Sequence, residues 1–253
     1  MATDPSPDGR QYHLRAGPGQ IGGYVLLPGD PDRADLIARS LDDPVAVATN
    51  REFRTWTGMI FGERVSVTST GIGGPSAAIA VSELTRLGAH TFIRVGSCGS
   101  LQPRITPGHL VIATGAVRDE GTGRQYIPIE FPAFAHHAVV SVLERSARES
   151  GQSFTSGIVY CKDALIAAYP PDDVPLSELL MLRTRAWVKA GVVASEMESA
   201  IIFVLAALKG RRAGSILRVL GPGEGDDPGL FARVIDVAIS AVRHLIAADR
   251  GSR

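Results

Sequence analysis

Short apolar runs alternate with stretches of helical period along nearly the whole chain. Tyr24 to Leu27 reads as a first strand. It stops at Pro28-Gly29-Asp30-Pro31, where Asp30 can cap a helix and Pro31 can occupy the first turn. Val65 to Ser69 predicts another strand, followed by the turn Gly71-Ile72-Gly73-Gly74. Pro75 then opens a helix whose apolar positions Ile79, Ala80, Leu84 and Leu87 keep helical spacing, with Gly88 as its stop. Thr91 to Val95 predicts a third strand, ending at the small-residue turn Gly96-Ser97-Cys98-Gly99.

Leu110 to Thr114 and Gly157 to Tyr160 are further strand segments. Helical periods cover His136 to Glu149, Ser177 to Ala190, Ser199 to Lys209 and Phe231 to Ala247. Tyr169 to Pro175, with its Pro and Asp residues, reads as a loop or lid, and Gly221 to Gly229, rich in Gly, Pro and acidic residues, as another. Alternation of this kind predicts an α/β fold with a parallel or mixed sheet. No repeat or low-complexity linker divides residues 1–253, so one domain is expected, with 1–12 as a flexible arm.

Charge changes the picture by exclusion. Lys plus Arg and Asp plus Glu are 26 each, so the chain lacks the positive surplus that nucleic-acid or membrane-surface binding needs. Met1 to Arg10 has no apolar run of the signal-peptide kind, and no stretch is long enough to span a bilayer. A cytoplasmic protein is the expectation. The two cysteines, Cys98 and Cys161, match neither a disulfide framework nor a metal-ligand spacing, and no histidine has a companion at metal distance.

Candidate chemistry gathers where strands end, which is where open α/β sheets bind ligands. Arg33 follows the Gly29-Asp30-Pro31 turn, Arg94 lies in the third strand and Ser97 in the turn after it. Two guanidinium groups, a hydroxyl and turn N–H groups can cradle a phosphate. Each feature alone also belongs to ordinary α/β architecture. Gly71 to Ser76 fails the dinucleotide fingerprint at Ser76, and no lysine follows a glycine loop in the nucleotide-binding manner.

Glu196-Met197-Glu198-Ser199 opens an apolar helix. A carboxylate there can accept from a ribose diol and stabilise charge on a sugar as its glycosidic bond breaks. The same residues also suit a helix first turn for dipole reasons alone.

Taken together, five strings resemble the uridine phosphorylases. They are Gly29-Asp30-Pro31-Asp32-Arg33, Arg51-Glu52-Phe53, Ser69 to Ser76, Arg94-Val95-Gly96-Ser97-Cys98-Gly99 and Glu196-Met197-Glu198-Ser199, in that family's order and spacing from about His13 onward. The resemblance implies a three-layer fold with a central mixed sheet flanked by helices, assembled as dimers and further as trimers of dimers. It implies a site shared between subunits, with nucleoside and inorganic phosphate as substrates, ribose 1-phosphate as product and no required cofactor.

On matching positions, Gly29, Arg33, Arg94 and Ser97 would bind phosphate, joined by Arg51 of the neighbouring subunit. Glu198 with Met197, beside Glu196, would hold the ribose, and His13 would reach across from the partner toward the 5′-hydroxyl. Glu52, Ile72 and Ser76 match positions that hold a monovalent cation between subunits in some members, which makes potassium a candidate ion.

The base-reading region departs from the family. Leu165 stands at the position of the aromatic that stacks on uracil, and no Gln/Arg pair follows in Ile166 to Pro171. A second arginine expected near Leu220 to Gly225 is missing, as is the Ser-Asp pair of the purine-cleaving relatives, with Asp226 and Asp227 lying slightly later. A retained phosphate and ribose half with a diverged base half suits a uridine-like nucleoside modified in base or sugar. A purine phosphorylase, a nucleosidase using water and a catalytically silent nucleoside-binding homologue are the alternatives. Related hydrolases lack the phosphate arginines, whereas Arg33, Arg51 and Arg94 are all present.

Overall fold

Strand β1 (Tyr24–Leu27) is buried at all four positions, which is why its sequence shows no polar alternation. The computed structural model describes residues 5–224 and 228–251. After β1 the chain turns at Pro28-Gly29 into α1 (Pro31–Ala38), capped by Asp30, whose carboxylate accepts from the Asp32 N–H at 2.9 Å. An antiparallel meander follows, β2 (Asp42–Asn50), β3 (Phe53–Ile60) and β4 (Glu63–Thr68), and β4 returns parallel to β1.

Helix α2 (Gly74–Arg86) leads to β5 (Thr91–Ser100), then β6 (Leu110–Asp119) and the short β7 (Ala133–Phe134). Next come α3 (His137–Glu149), β8 (Phe154–Lys162), α4 (Ser177–Lys189) and β9 (Ala194–Glu196). The chain finishes with α5 (Ser199–Leu208), β10 (Arg212–Val219) and α6 (Pro228–Gly251).

The strands form one mixed sheet in the order β10-β6-β8-β9-β5-β1-β4-β3-β2, and β10 also pairs with β5. Strand β5 is the pivot. It runs parallel to β1 from Thr91 to Arg94, parallel to β10 from Thr91 to Cys98, and antiparallel to β9 at Gly99 and Ser100.

Helices cover both faces. One core contains Phe92 and Cys98 of β5 with residues of α2 and α5, and the other contains Ile93 and Val95 with residues of α1, α3 and α6. The two-residue period of the strand therefore points Arg94 toward the α5 side, with Phe92 and Cys98. Helix α5 is buried from Ser199 to Ala206, as its unbroken apolar sequence requires.

Two boundaries differ from the pattern-based reading. Gly96 to Gly99 does not form a turn but continues β5, and Ser97 lies in the strand opposite Arg218 of β10. Pairing on the β10 side holds extended a segment whose small residues have low strand preference. The expected loop over Gly221 to Gly229 ends earlier, because α6 begins at Pro228; Asp226 and Asp227 lie outside the described residues. Gln11, within the expected arm, is buried.

Candidate active site

A cleft of about 850 Å³ opens at the strand ends beside β5. It gathers Gly29, Arg33, Glu52, Ile72, Ser76, Arg94, Ser97, Leu165, Glu196, Met197 and Glu198 from segments far apart in sequence. Spatial order follows strand order. Gly29 and Arg33 come after β1, Arg94 and Ser97 lie on β5, Glu196 ends β9 with Met197 and Glu198 just after it, and Leu165 follows β8.

At the β1 end, Arg33 is buried in α1, with its guanidinium 3.6 Å from the ring centroid of Phe231. Stacking of this kind helps to fix the plane of a guanidinium cation. The loop after β1 is tied to the loop after β4 by two backbone bonds, Thr70 N–H to Pro28 O at 2.8 Å and Gly71 N–H to Gly29 O at 2.9 Å.

Arg94 is the centre of the cleft's charge. Its register opposite Leu27 sets it beside the residue two before Gly29, and its side chain is 6% exposed. Nε donates to Glu196 Oε2 at 3.0 Å, and Nη2 pairs with Glu198 Oε2. Nη1 is buried with no hydrogen-bond partner among the described residues. Burial works against the guanidinium charge, but Glu198 and Glu196 outweigh it and hold the Arg94 pKa above its ordinary value.

Both carboxylates are positioned from the start of α5. Glu196 accepts from the Glu198 N–H at 3.0 Å and the Ser199 N–H at 2.9 Å, so it satisfies the open helix end while orienting Arg94. Glu198 Oε1 accepts from the Gly73 N–H at 2.5 Å. Gly73 has φ 91°, a left-handed conformation that glycine tolerates and that aims this N–H at the carboxylate. Burial raises the Glu198 pKa, with Arg94 opposing it.

The far end of the cleft is less polar. Leu165 is 78% exposed in a single 3-10 turn, and Tyr169, four residues on, also lines the cleft while its hydroxyl donates to Ser100 O at 2.7 Å. An aromatic face is thus present near the diverged base-reading segment, offset from the position where sequence comparison sought one. Lys162, Ser195 and Tyr169 also line the cleft and carry no motif in the sequence that marks them. Extending the Gly157 to Tyr160 strand by two residues would have brought Lys162 to the strand end, where ligands bind.

Two expected residues do not enter this cleft. Arg51 is exposed in the β2–β3 turn with φ 55°, and His13 Nδ1 is 2.7 Å from Glu83 Oε1. Asn50 joins them by donating to His13 O at 2.6 Å, so His13 and Arg51 share one patch outside their own chain's cleft. Glu52, Ile72 and Ser76 do line it: Ile72 is 78% exposed, and the Ser76 hydroxyl donates to Thr70 O. Among the described residues no group of His, Cys, Asp and Glu has metal-binding geometry, and Cys98 and Cys161 are free and buried.

A mixed sheet between helical layers, with a buried arginine and two carboxylates meeting at the strand ends, has the architecture of the nucleoside phosphorylase fold. The model of the phosphorylase superfamily matches residues 24–249, and the chain belongs to that family. It is 44% identical to a uridine phosphorylase of Treponema pallidum, over 94% of this chain and 95% of the relative. Identity is 43% to a uridine phosphorylase of Thermococcus kodakarensis, over 84% of this chain and 77% of the relative. A guanosine phosphorylase of Halorubrum lacusprofundi is 39% identical, over 84% of this chain and 83% of the relative.

Proposed function

We propose that this chain is a nucleoside phosphorylase that cleaves a uridine-like nucleoside with inorganic phosphate, giving free base and ribose 1-phosphate. The observation that carries this reading is Arg94, which lines the cleft, is held by Glu196 and Glu198, and has a buried Nη1 with no hydrogen-bond partner among the described residues. A buried donor without a partner is costly, so an anion at that point is strongly favoured.

Gly29, Arg33, Arg94 and Ser97 form the phosphate end, and Arg51 of a second subunit completes it. Phosphate held below the anomeric carbon attacks as the C1′–N bond breaks, which makes the reaction effectively unimolecular. Glu198 and the Met197 backbone grip the ribose hydroxyls, and the carboxylate stabilises positive charge developing on the ring. Glu196 orients Arg94 and lies against the sugar side. Leu165 faces the base.

The shared patch of His13 and Arg51 supports a dimer in which each reaches the partner's cleft, His13 toward the ribose 5′-hydroxyl. Trimers of such dimers, a cytoplasmic location and a potassium ion among Glu52, Ile72 and Ser76 belong to the same proposal. Diverged base contacts support a nucleoside altered in base or sugar as the preferred substrate. Relatives named for uridine support the pyrimidine class, whereas the one named for guanosine keeps the purine alternative open.

Cleavage rates across a nucleoside panel, with and without phosphate, test the reading. Saturable dependence on phosphate is expected; equal rates in its absence would assign the chain to the hydrolases. A panel in which plain uridine is the best substrate would refute the modified-substrate proposal alone.

A further inference from the structure

We propose that Lys162 receives the departing base, its ammonium donating to a base carbonyl oxygen and stabilising the negative charge left when the glycosidic bond breaks. This rests on the phosphorolytic reading above.

Lys162 ends β8, lines the cleft and is only 3% exposed. Its ammonium makes no hydrogen bond or close ion pair among the described residues, and Glu196 and Glu198 act on it only through space. The stem is buried and the residue lines the cleft, so the ammonium's three donors are open to a ligand there. Burial also pushes its pKa below the ordinary lysine value, against the two carboxylates.

Position decides which part of a nucleoside it meets. The strand order β8-β9-β5-β1 places Arg33 after β1, Arg94 on β5 and Glu198 after β9, so Lys162 lies beyond the sugar-holding carboxylates from the phosphate arginines. Cys161 is in register with Glu196, which sets Lys162 beside Met197. Three residues later comes Leu165, followed by Tyr169, both lining the same end. Asp163 is turned away, accepting from the Gly121 N–H at 2.8 Å.

The chemistry fits a donor-only group. As a phosphate oxygen bonds to C1′, the C1′–N bond breaks and its electron pair remains on the base. For a uracil-type base that charge spreads to the carbonyl oxygens, and the base takes a proton from water on release. An ammonium has three donors and no acceptor, so it favours carbonyl-bearing bases over those presenting an amino group at the same point. It would supply a base contact in a chain that lacks the family's Gln/Arg pair.

The test compares uridine with 5-fluorouridine, whose more acidic base leaves more readily, in wild type and Lys162→Met. Loss of a preorganised charge contact predicts a fall in kcat of about 100-fold for uridine, a much smaller fall for 5-fluorouridine and an unchanged KM for phosphate. Equal losses for both nucleosides, or a raised KM for phosphate, would show that Lys162 only balances Glu196 and Glu198 and would overturn the proposal. Lys162→Gln, which keeps a neutral donor, gives the same comparison if the methionine protein does not fold. Wild-type cleavage that ignores phosphate would instead count against the phosphorylase reading itself.

Discussion

Arg94 and Glu198 form a buried ion pair, with side chains 6% and 5% exposed, contributed by the centre of β5 and the start of α5. In the proposed reading the pair joins the phosphate end of the cleft to the sugar end, so neither residue can be changed without disturbing the other. Glu196 makes the arrangement a triad, and Nη1 is left buried without a hydrogen-bond partner among the described residues.

Replacing Arg94 by alanine would therefore remove the proposed anion contact and leave two carboxylates buried without their cation. Arg94→Ala is expected to lose about 3 kcal/mol of transition-state stabilisation, read as kcat/KM for phosphate. A loss below tenfold would remove Arg94 from the phosphate site.

Gly96 offers a subtler route to the same group. A Cβ at Gly96 would lie 2.8 Å from Arg94 Cζ and 2.9 Å from Nη2, closer than side chains approach. Gly96→Ala is expected to raise KM for phosphate by displacing the guanidinium, while circular dichroism shows the fold retained. Unchanged phosphate kinetics would mean that the guanidinium position does not matter.

Sharing of the site between subunits has its own test. Arg51→Ala and Arg94→Ala proteins are each expected to be nearly inactive. Unfolded together and refolded, they should regain activity, because one site of a mixed dimer then carries both changes and the other neither. No regain in proven mixed oligomers would place Arg51 outside the catalytic machinery.

Much of this cleft was legible in sequence because its residues sit in short strings at strand and helix ends. Asp30 with Pro31, and Glu196 to Ser199 before an apolar run, announce helix starts by local chemistry alone. What stayed hidden depends on distant pairing. Gly96 to Gly99 looks like a turn until β10 pairs with it, and the mostly exposed β2 lacks the alternation that marks a half-buried strand. Tyr169 reads only as part of a loop or lid in sequence, since the fold alone brings its hydroxyl to Ser100. Arg51 and His13 could be suspected only from resemblance, because their proposed targets lie on another copy of the chain.

Stability at low pH should depend on a cluster far from the cleft. Arg212 donates two hydrogen bonds to Asp249, at 2.8 and 2.6 Å, and the Tyr24 hydroxyl donates to the same carboxylate at 2.5 Å, linking β10, α6 and β1. The Arg212 hydrogen bonds chiefly hold the Asp249 pKa down to about 2, from 3.8. Its folded pKa is the lower one, so its stabilisation is complete above pH 3.8 and fades as pH falls toward 2. Asp249→Asn should lower Tm at neutral pH and flatten the acid limb of the Tm curve; an unaltered acid limb would discount the cluster.

The most direct measurement follows phosphorus. With uridine or a close analogue, inorganic phosphate and enzyme, 31P NMR should show the phosphate signal replaced by that of a sugar phosphate ester, in step with release of free base. Free ribose accumulating while the inorganic phosphate signal stays constant would contradict the account.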